Sequence, residues 1–564
     1  MHKLIFLFCA TAVLCEVRSA EPIDVTPARG THGMVVAAHP QAAAIGVEVL
    51  KHGGNAIDAA VAVSLAVGVA EPYASGLGGK LVLLYREARS GRTYAVEAMD
   101  ACGSAIDIEA YRKLPDDAHS YGYSAVCVPG LAAGLWVAHQ KWGAKPWAAD
   151  VAPAIALARD GFEILPKTHD FFDEQVKKLH RGDAELARLY LVGGELPAVG
   201  TRLKNDDLAH TMELLAQKGR DGFYRGEVAD KIVAASQRGG GVLAPADLSD
   251  YEARIVEPLV MDFRGYRLAS APPPANGASL FMPMMKALEA DDFGGGPLRT
   301  AGNLDRIGRV WRIVEPQERR LIADSPAART NFEILISPES IRAIRERATG
   351  SEPAGKSSSS LDDGPLYESA MAATTQWMIA DAQGNIACCT QSLSLHFGAG
   401  VVPPGTGVVM NDSMSNFAYA DSKSLNFVVP GRRPRSTIAP TIVERDGKLR
   451  FAIGVPGAAR IPTALLQVLL DRLVLNRPLA DAIGDTRVHY VAAVHKDEAD
   501  SFEAEQSLPA GVADELRTLG WKVILPEESG RGRHFGGVNA IEFNPDGSLS
   551  GYPDPRRTNA AAGY

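Results

Sequence analysis

Short strand-like segments lie near both ends of this chain, and a long helical stretch separates them. Apolar residues at helical spacing, with frequent Ala, Leu and Glu, predict that residues 105–350 are mainly helical, apart from a strand-like break at 254–267. Helical spacing returns at 462–475. Strands are predicted at residues 33–38, 81–85, 93–98, 376–380, 386–392, 401–402, 407–410, 439–443 and 449–453. This order of strands, helices and strands fits a layered α+β fold.

Two consecutive helices are predicted directly after the first strand. Pro40 stands in a first turn, where a helix tolerates proline, and that helix should end at a pair of glycines. Asn55 with Asp58 three residues later is typical of a capping box. The second helix, residues 56–69, is apolar on nearly every face, so we expect it to be buried.

The first twenty residues are typical of a secretory signal peptide. Lys3 supplies a positive charge, residues 4–14 form an apolar stretch too short to cross a membrane as a helix, and Ser19 and Ala20 are small. We therefore expect residues 1–20 to be removed and the protein to be periplasmic or secreted. A buried N-terminal helix is the alternative. No later segment is a long uncharged apolar run, so we expect no stable membrane span after signal removal.

Composition and charge exclude several classes of protein. Of the 564 residues, 46% are apolar and 22% are charged, as in an ordinary globular protein. The formal net charge is −9 and no long basic run occurs, so a nucleic-acid partner is not expected. The cysteine spacing, without an HExxH or paired CxxC motif, suggests no zinc site. The chemistry that the residues below indicate needs no metal and no cofactor. Four cysteines outside the signal are expected to be buried free thiols: Cys102, Cys127, Cys388 and Cys389.

A candidate nucleophile follows a segment of unusual composition. Residues 350–365 are rich in Gly, Ser and Pro, which indicates a flexible, solvated stretch and, taken alone, a surface loop. Thr374 and Thr375 then begin a predicted strand. A threonine hydroxyl needs a base, and an N-terminal threonine has one in its own α-amine, whose reference pKa is about 7.7–8.0. Creating that amine requires cleavage before Thr374. By themselves, two threonines indicate only a favourable strand start.

Motifs spread over nearly the whole chain, in order, change that interpretation. They are His39-Pro40, Gly53 through Ala60, Glu71-Pro72, Ser75 through Gly79, Thr374-Thr375, Asp381 with Gly384-Asn385, Phe397 through Gly400, Gly407 through Asn411, Arg433 through Ile442, Pro456-Gly457 with Arg460, Asp554-Pro555-Arg556, and Ala562-Gly563-Tyr564. Together these motifs resemble the γ-glutamyltransferase family.

The resemblance implies an N-terminal-nucleophile hydrolase, in which two central antiparallel sheets lie between helical layers. It implies a precursor that cleaves itself into a large chain, residues 21–373 with a flexible tail at about 350–373, and a small chain, residues 374–564. The two chains would associate as a heterodimer. Thr374 would attack a small-molecule amide, hold the acyl group as an ester, and pass it to water or to an amine.

Three further catalytic positions are implied by the resemblance. Ser392 stands where the family usually has a threonine that supports the new α-amine. Gly457 and Ala458 occupy the oxyanion-hole turn. Since that hole uses backbone N–H groups, alanine in place of the usual glycine keeps the donor.

The substrate pocket departs from the family pattern. Its implied positions are Met99, Ser394, Ser413, Asn416, Ser436 and Thr437. Met99 replaces an arginine that grips the substrate's α-carboxylate in the γ-glutamyl enzymes, and a thioether cannot make that bidentate contact. In the pocket for the α-amino group, Ser394, Ser413 and Asn416 replace the family's Asn, Gln and Asp. The substrate ammonium would therefore lose its carboxylate partner. One serine of the carboxylate-binding pair becomes threonine.

Three hypotheses follow from these departures. In the first, the enzyme still acts on γ-glutamyl amides, and Lys80 or Arg435 supplies the missing charge unless either is simply a surface cation. In the second, it acts on another amide, as oxamate-type amidohydrolases and cephalosporin acylases do, with Trp377 and His396 lining the pocket unless they are core residues. In the third, it is a processed but inactive binding protein, which the retained nucleophile and oxyanion turn argue against.

Overall fold

The computed structural model describes residues 23–350, 372–493, 498–526 and 535–564. The predicted signal peptide and all but the ends of the predicted flexible tail lie outside the described residues.

Helices form most of the first half of the chain, as predicted. The α-helices are α1 Pro40–Lys51, α2 Ala56–Ala70, α3 Ile108–Tyr111, α4 Leu131–Trp142, α5 Trp147–Asp160, α6 Pro166–Glu174, α7 Val176–Arg181, α8 Ala184–Tyr190, α9 Asp206–Lys218, α10 Asp221–Tyr224, α11 Glu227–Arg238, α12 Pro245–Ser249, α13 Gly277–Ala287, α14 Ala301–Leu321, α15 Ala328–Leu335, α16 Pro338–Ala348, α17 Arg460–Leu473, α18 Leu479–Gly484 and α19 Val512–Thr518. None of those described combines the length and apolarity that a membrane crossing would need.

Strands come from both ends of the chain. They are β1 Ala28–Gly30, β2 Met34–Ala37, β3 Lys80–Arg86, β4 Thr93–Ala98, β5 Phe162–Glu163, β6 Arg202–Leu203, β7 Arg254–Val256, β8 Leu259–Phe263, β9 Tyr266–Ser270, β10 Ala372–Ala380, β11 Ile386–Leu395, β12 Thr441–Arg445, β13 Lys448–Gly454, β14 Val488–Val491, β15 Ser501–Ala504, β16 Lys522–Ile524, β17 Asn539–Phe543, β18 Leu549–Pro553 and β19 Ala560–Gly563.

Two antiparallel seven-stranded sheets form the centre of the molecule. The first sheet has the order β19-β2-β10-β11-β3-β4-β7, and the second has the order β1-β18-β17-β13-β12-β9-β8. Apolar side chains from both sheets, such as Met378 and Cys388 from the first and Ile442 and Ala452 from the second, share one buried cluster. Because side chains alternate along a strand, each sheet has a second face, and apolar side chains of these outer faces belong to two further buried clusters.

Helices cover those outer faces. A large buried cluster joins the first sheet to helices including α1, α2, α4, α5 and α9, and another joins the second sheet to helices including α13, α14 and α17. The layers are therefore helix, sheet, sheet and helix. Every residue of α2 is buried, and Asn55 and Asp58 form the predicted capping box at its start.

The central strands of the first sheet come from opposite ends of the sequence. β10 pairs with β2, and β11 pairs with β3, although more than 280 residues separate β3 from β10 in the sequence. β10 and β11 also form a hairpin around Asp381–Asn385 loop residues, as predicted, and Gly384 adopts a φ of 83° in its turn. Each part of the chain thus completes a sheet that the other part begins.

Two predicted strands are wrong. Residues 401–402 and 407–410 lie in loops, and their one ladder contact is a single bridge from Met410 to Gly78. Gly405 and Gly407 have φ values of 69° and 66°, and such left-handed backbone interrupts a strand. The prediction of free thiols is confirmed, because all four described cysteines are unpaired and buried.

Candidate active site

Thr374 lies at an irregularity between β10 and β11. Ala373 pairs with Ser394 and Thr375 pairs with Gln391, so two residues of β11 oppose Thr374 alone. This is a β-bulge, a feature that re-aims side chains and is frequent next to active sites. Ser394 has a φ of 80°, which is uncommon for a residue with a side chain. The bulge brings the predicted nucleophile and the predicted supporting serine side by side.

The hydroxyl groups of Thr374 and Ser392 meet at one carbonyl oxygen. Thr374 Oγ1 donates to the carbonyl oxygen of Ala373 at 2.7 Å, and Ser392 Oγ donates to the same oxygen. The two hydroxyl oxygens lie 3.1 Å apart. Ser392 Oγ also accepts a hydrogen bond from the backbone N–H of Ser394 at 2.9 Å. All of these groups are buried, so they polarise the peptide bond before Thr374 without competition from water.

A second group of residues holds Thr374 from the helix side of the sheet. Arg557 Nη1 donates to the carbonyl oxygen of Thr374 at 2.9 Å. The carboxylate of Glu71 accepts hydrogen bonds from Thr375 and Tyr73, each at 2.7 Å. Burial raises the pKa of the Glu71 carboxyl, while the charge of Arg557 opposes that shift. Burial likewise lowers the pKa of Arg557.

The predicted oxyanion turn follows β13. Gly454, the last residue of that strand, lies so close to the side chain of Gln376 that a Cβ atom at this position would come within 2.2 Å of it. The turn is therefore at the same end of the sheets as Thr374. Gly457 and Ala458 have φ values of 144° and 52°. Turns with such positive φ values can direct successive backbone N–H groups toward an anion. Thr437 donates its hydroxyl to the carbonyl oxygen of Ala458 at 2.7 Å, which fixes the turn.

A fully buried ion pair lies beside the two hydroxyls. Lys80 Nζ is 3.1 Å from Asp100 Oδ2, and both side chains are 0% exposed. The same ammonium donates to Ser394 Oγ at 2.5 Å and to Ser413 Oγ at 2.6 Å. Asn416 Nδ2 donates to Ser394 Oγ at 3.2 Å. Burial raises the pKa of the Asp100 carboxyl, and the Lys80 ammonium opposes that shift. Ser394 and Ser413 thus contact Lys80 and each other, and Asn416 contacts Ser394.

The remaining predicted pocket residues, Met99 and Ser436, lie outside the hydrogen-bonded group around Lys80. Met99 is fully buried in the apolar cluster that contains Val82 and Val455. Leu81 pairs with Ala98, and one further step in that register places Lys80 beside Met99. Ser436 is half-buried and contacts its neighbours through its backbone, accepting from the N–H of Asn276 at 2.7 Å.

Trp377 and His396, predicted to line the pocket, and Arg435, predicted to supply the missing charge, all lie among other buried groups. Trp377 lies in the core on the helix side of the sheet and donates to Gln391 at 2.8 Å, so it belongs to the core. His396 is buried with its ring against those of Tyr73 and Phe171. Arg435 is buried and donates to the carbonyl oxygen of Ile322 at 2.6 Å, so it is not a surface cation. Neither is Lys80.

Sequence reasoning missed three charged residues of this site. Asp100 directly follows Met99, Glu71 lies within a quoted motif, and Arg557 follows another. The signal in the sequence is a charge inside or next to an apolar or motif segment, as at Lys80, which directly precedes the apolar run 81–85. The spacing of these residues along the chain does not indicate which of them contact each other.

Comparisons with known proteins identify the family of this chain. The family model described as gamma-glutamyltranspeptidase matches residues 42–564. The glutathione hydrolase proenzyme of Pseudomonas sp. (strain A14) is 32% identical to this chain, over 98% of each protein. The acylase ACY 1 proenzyme of Pseudomonas sp. (strain V22) is also 32% identical, over 93% of this chain and 92% of the acylase.

A solved structure extends the likeness to the fold. The crystal structure of cephalosporin acylase from Bacillus halodurans has a TM-score of 0.84 and 25% identity, covering 98% of this chain and 99% of that one. The predicted family resemblance and the predicted α+β sandwich are confirmed. Both classes of enzyme expected from the sequence, glutathione hydrolases and acylases, occur among the relatives.

Proposed function

Because the chain belongs to the γ-glutamyltranspeptidase family of N-terminal threonine hydrolases and transferases, we propose that it cleaves itself before Thr374 and then transfers acyl groups from small-molecule amides. One observation carries the proposal: the hydroxyls of Thr374 and Ser392 both donate to the carbonyl oxygen of Ala373. The peptide bond to be cut is thus held at the nucleophile that cuts it.

Self-cleavage follows from that arrangement. Thr374 Oγ1 attacks the carbonyl carbon of Ala373, its proton passes to the nitrogen of Thr374, and the C–N bond breaks. An ester between Ala373 and the Thr374 side chain results. Water then hydrolyses the ester, which gives the carboxylate of Ala373 and the free hydroxyl and α-amine of Thr374. Ser392 stabilises the developing charge on the carbonyl oxygen in the first step.

The products would be a large chain of residues 21–373 and a small chain of residues 374–564 that stay together. The pairing of β10 with β2 and of β11 with β3 supports this, since each chain would contribute strands to the same sheet. Separation would expose the buried faces of both sheets and leave unpaired strand edges.

Catalysis on other amides reuses the same groups. The new α-amine of Thr374 serves as the base that removes the proton of its own hydroxyl, which then attacks the substrate carbonyl. Backbone N–H groups of Gly457 and Ala458 receive the negative charge on the substrate oxygen. The amine product leaves with a proton, and water or a second amine releases the acyl group from Thr374.

Two substrate classes are candidates. A γ-glutamyl-like amide, as in glutathione hydrolysis, is supported by the family and by a relative named for that activity. An amide without an amino-acid acyl group, as in the acylases, is supported by the absence of an arginine at Met99 and by the closed pair of Lys80 and Asp100. We favour the second class because the Lys80 ammonium already contacts Ser394, and the Asp100 carboxylate beside it is paired with Lys80.

The place of action rests on the sequence of residues 1–20. We infer that this segment directs export and is removed, so that the enzyme works in the periplasm or outside the cell. Sequencing the N-terminus of the large chain from cells tests this: a chain that begins at Met1 contradicts it.

Mass spectrometry of the purified protein tests the main proposal. We expect two chains whose masses correspond to cleavage between Ala373 and Thr374, and an acyl adduct on the small chain after incubation with an anilide substrate. A protein that hydrolyses amides as one intact chain contradicts self-cleavage. An unsplit Thr374→Ala variant that still hydrolyses amides places the nucleophile elsewhere.

A further inference from the structure

The ion pair of Lys80 and Asp100 is close to the proposed nucleophile. Lys80 on β3 pairs with Ser392 on β11, and Ser392 Oγ is 3.1 Å from Thr374 Oγ1. Ser394, which contacts Lys80, also donates its backbone N–H to Ser392 Oγ at 2.9 Å. Ser392 is therefore the one residue between Ser394 and the hydroxyl of Thr374.

Every N–H donor of the Lys80 ammonium is used. An ammonium has three N–H groups, and those of Lys80 point to Asp100 Oδ2 at 3.1 Å, Ser394 Oγ at 2.5 Å and Ser413 Oγ at 2.6 Å. The side chain is 0% exposed. All three N–H groups of this ammonium are hydrogen-bonded to side chains, so none remains to bind a substrate carboxylate.

The two serine hydroxyls are also saturated. Ser413 donates to Asp100 Oδ2 at 2.5 Å, so the 2.9 Å hydrogen bond between the two serines is donated by Ser394. Ser413 Oγ then accepts from Lys80 and Ser394, and Ser394 Oγ accepts from Lys80 and from Asn416 at 3.2 Å. A hydroxyl oxygen has two lone pairs. Neither serine has one left for an incoming ammonium.

We propose that Lys80 is a specificity-determining residue whose ammonium permanently occupies the hydroxyl subsite of Ser394 and Ser413. The enzyme therefore selects acyl groups that carry no ammonium at the carbon facing that subsite. This inference rests on the proposed function, since it assigns the acyl group that Thr374 receives.

The physical reason is charge and lost solvation. A substrate ammonium in this subsite would approach the Lys80 ammonium in a buried region, where like charges repel more strongly than in water. It would also give up hydrogen bonds to water without gaining acceptors. An acyl chain that carries only hydrogen at the same carbon suffers neither the charge repulsion nor the loss of hydrogen bonds to water.

A matched pair of substrates tests the inference. γ-Glutamyl-p-nitroanilide and glutaryl-p-nitroanilide differ only in the α-ammonium, and butyryl-p-nitroanilide lacks the carboxylate as well. For the processed wild-type enzyme we expect kcat/KM to be at least tenfold higher for glutaryl than for γ-glutamyl. Wild-type preference for the γ-glutamyl compound, or processed enzyme that turns over neither desamino compound, overturns the inference.

Two variants test whether Lys80 causes the preference for the glutaryl substrate. Lys80→Met frees both serines and leaves Asp100 unneutralised, so the ratio of kcat/KM for glutaryl over γ-glutamyl should fall at least tenfold. Since an unpaired buried carboxylate can prevent folding, Lys80→Met/Asp100→Asn removes both charges, and its ratio should lie between those of Lys80→Met and the wild type. An unchanged ratio in the double variant overturns the inference.

Splitting into two chains is scored in every sample. A wild-type protein that never splits contradicts the proposed function itself. A wild-type protein that splits and whose ratio does not respond to Lys80 contradicts only this inference.

Discussion

The hydroxyl oxygen of Thr374 lies 3.1 Å from that of Ser392, and both hydroxyls donate to the carbonyl oxygen of Ala373. A β-bulge produces this relationship, because the regular register of β10 and β11 is interrupted opposite Thr374. Only 3% of Thr374 is exposed in the unbroken chain, so the first carbonyl that its hydroxyl can reach is that of its own neighbour. Self-cleavage and later turnover on other amides therefore depend on the same two hydroxyls.

Thr374→Ala is expected to stay as one chain and to hydrolyse no amide, since both steps need the hydroxyl. Thr374→Ser keeps a hydroxyl at the same position and is expected to split. Gel electrophoresis under denaturing conditions after timed incubation measures both. Splitting of the alanine variant would contradict the assignment of the nucleophile.

Ser392→Ala is expected to slow self-cleavage about 10- to 100-fold, because one hydrogen bond to a developing charge contributes roughly 1.5–3 kcal/mol. Ser392→Thr keeps the hydroxyl and serves as the matched control, with a rate close to that of the wild type. The rate is followed from freshly refolded precursor. Equal rates for the alanine and threonine variants would show that the hydroxyl is not involved.

Arg557→Met is expected to destabilise the protein, because it removes the positive charge that opposes burial of the Glu71 carboxylate and the hydrogen bond to the carbonyl oxygen of Thr374. Adding Glu71→Gln should restore much of that stability. It should not restore the rate of self-cleavage, since the hydrogen bond from Arg557 to the carbonyl oxygen of Thr374 stays absent. Urea unfolding and cleavage rates of the two variants are compared. Full recovery of the rate would make Arg557 a purely structural residue.

Ala458→Gly is expected to keep activity within about threefold, because the backbone N–H proposed for the oxyanion hole is unchanged. With a φ of 52°, alanine at this position is in a conformation that costs L-residues roughly 1–2 kcal/mol, so glycine should not destabilise the turn. Ala458→Val, which is β-branched, should lose both stability and activity. Comparing kcat and thermal midpoints of the two variants checks this prediction, and a large activity loss in the glycine variant contradicts it.

Acid is expected to destabilise the protein through His39. This residue is the N-cap of α1, where its Nδ1 accepts from the N–H of Gln41, and burial lowers its pKa to about 4 from the ordinary 6.5. The folded state therefore holds fewer protons on His39 than the unfolded state. The stabilisation is complete above pH 6.5 and is lost as the pH falls toward 4, by about 3 kcal/mol. His39→Asn keeps a helix cap that does not titrate, so its urea unfolding should depend less on pH over this range. An unchanged pH dependence would contradict the prediction.

Much of the fold was predictable because its signals are local. The capping box at Asn55, the buried helix α2, the hairpin between β10 and β11 and the buried cysteines each depend on residues close in sequence. Apolar composition predicts strands at 401–402 and 407–410, but it does not reveal the left-handed backbone at Gly405 and Gly407 that keeps these residues in loops. The two-layer arrangement came from the resemblance rather than from any local pattern.

The family, the candidate nucleophile Thr374 and the methionine at position 99 follow from the amino-acid sequence alone, since each depends on which residue stands at which position. The fold was needed to show that Lys80, Asp100, Ser394 and Ser413 form one hydrogen-bonded network and that Arg557 reaches Thr374. These partners come from segments up to 333 residues apart in the case of Lys80 and Ser413. Their contacts depend on sheet register and on a bulge, and no spacing along the chain encodes either. Burial then makes each contact matter, because a charge removed from water must be balanced by the groups it touches.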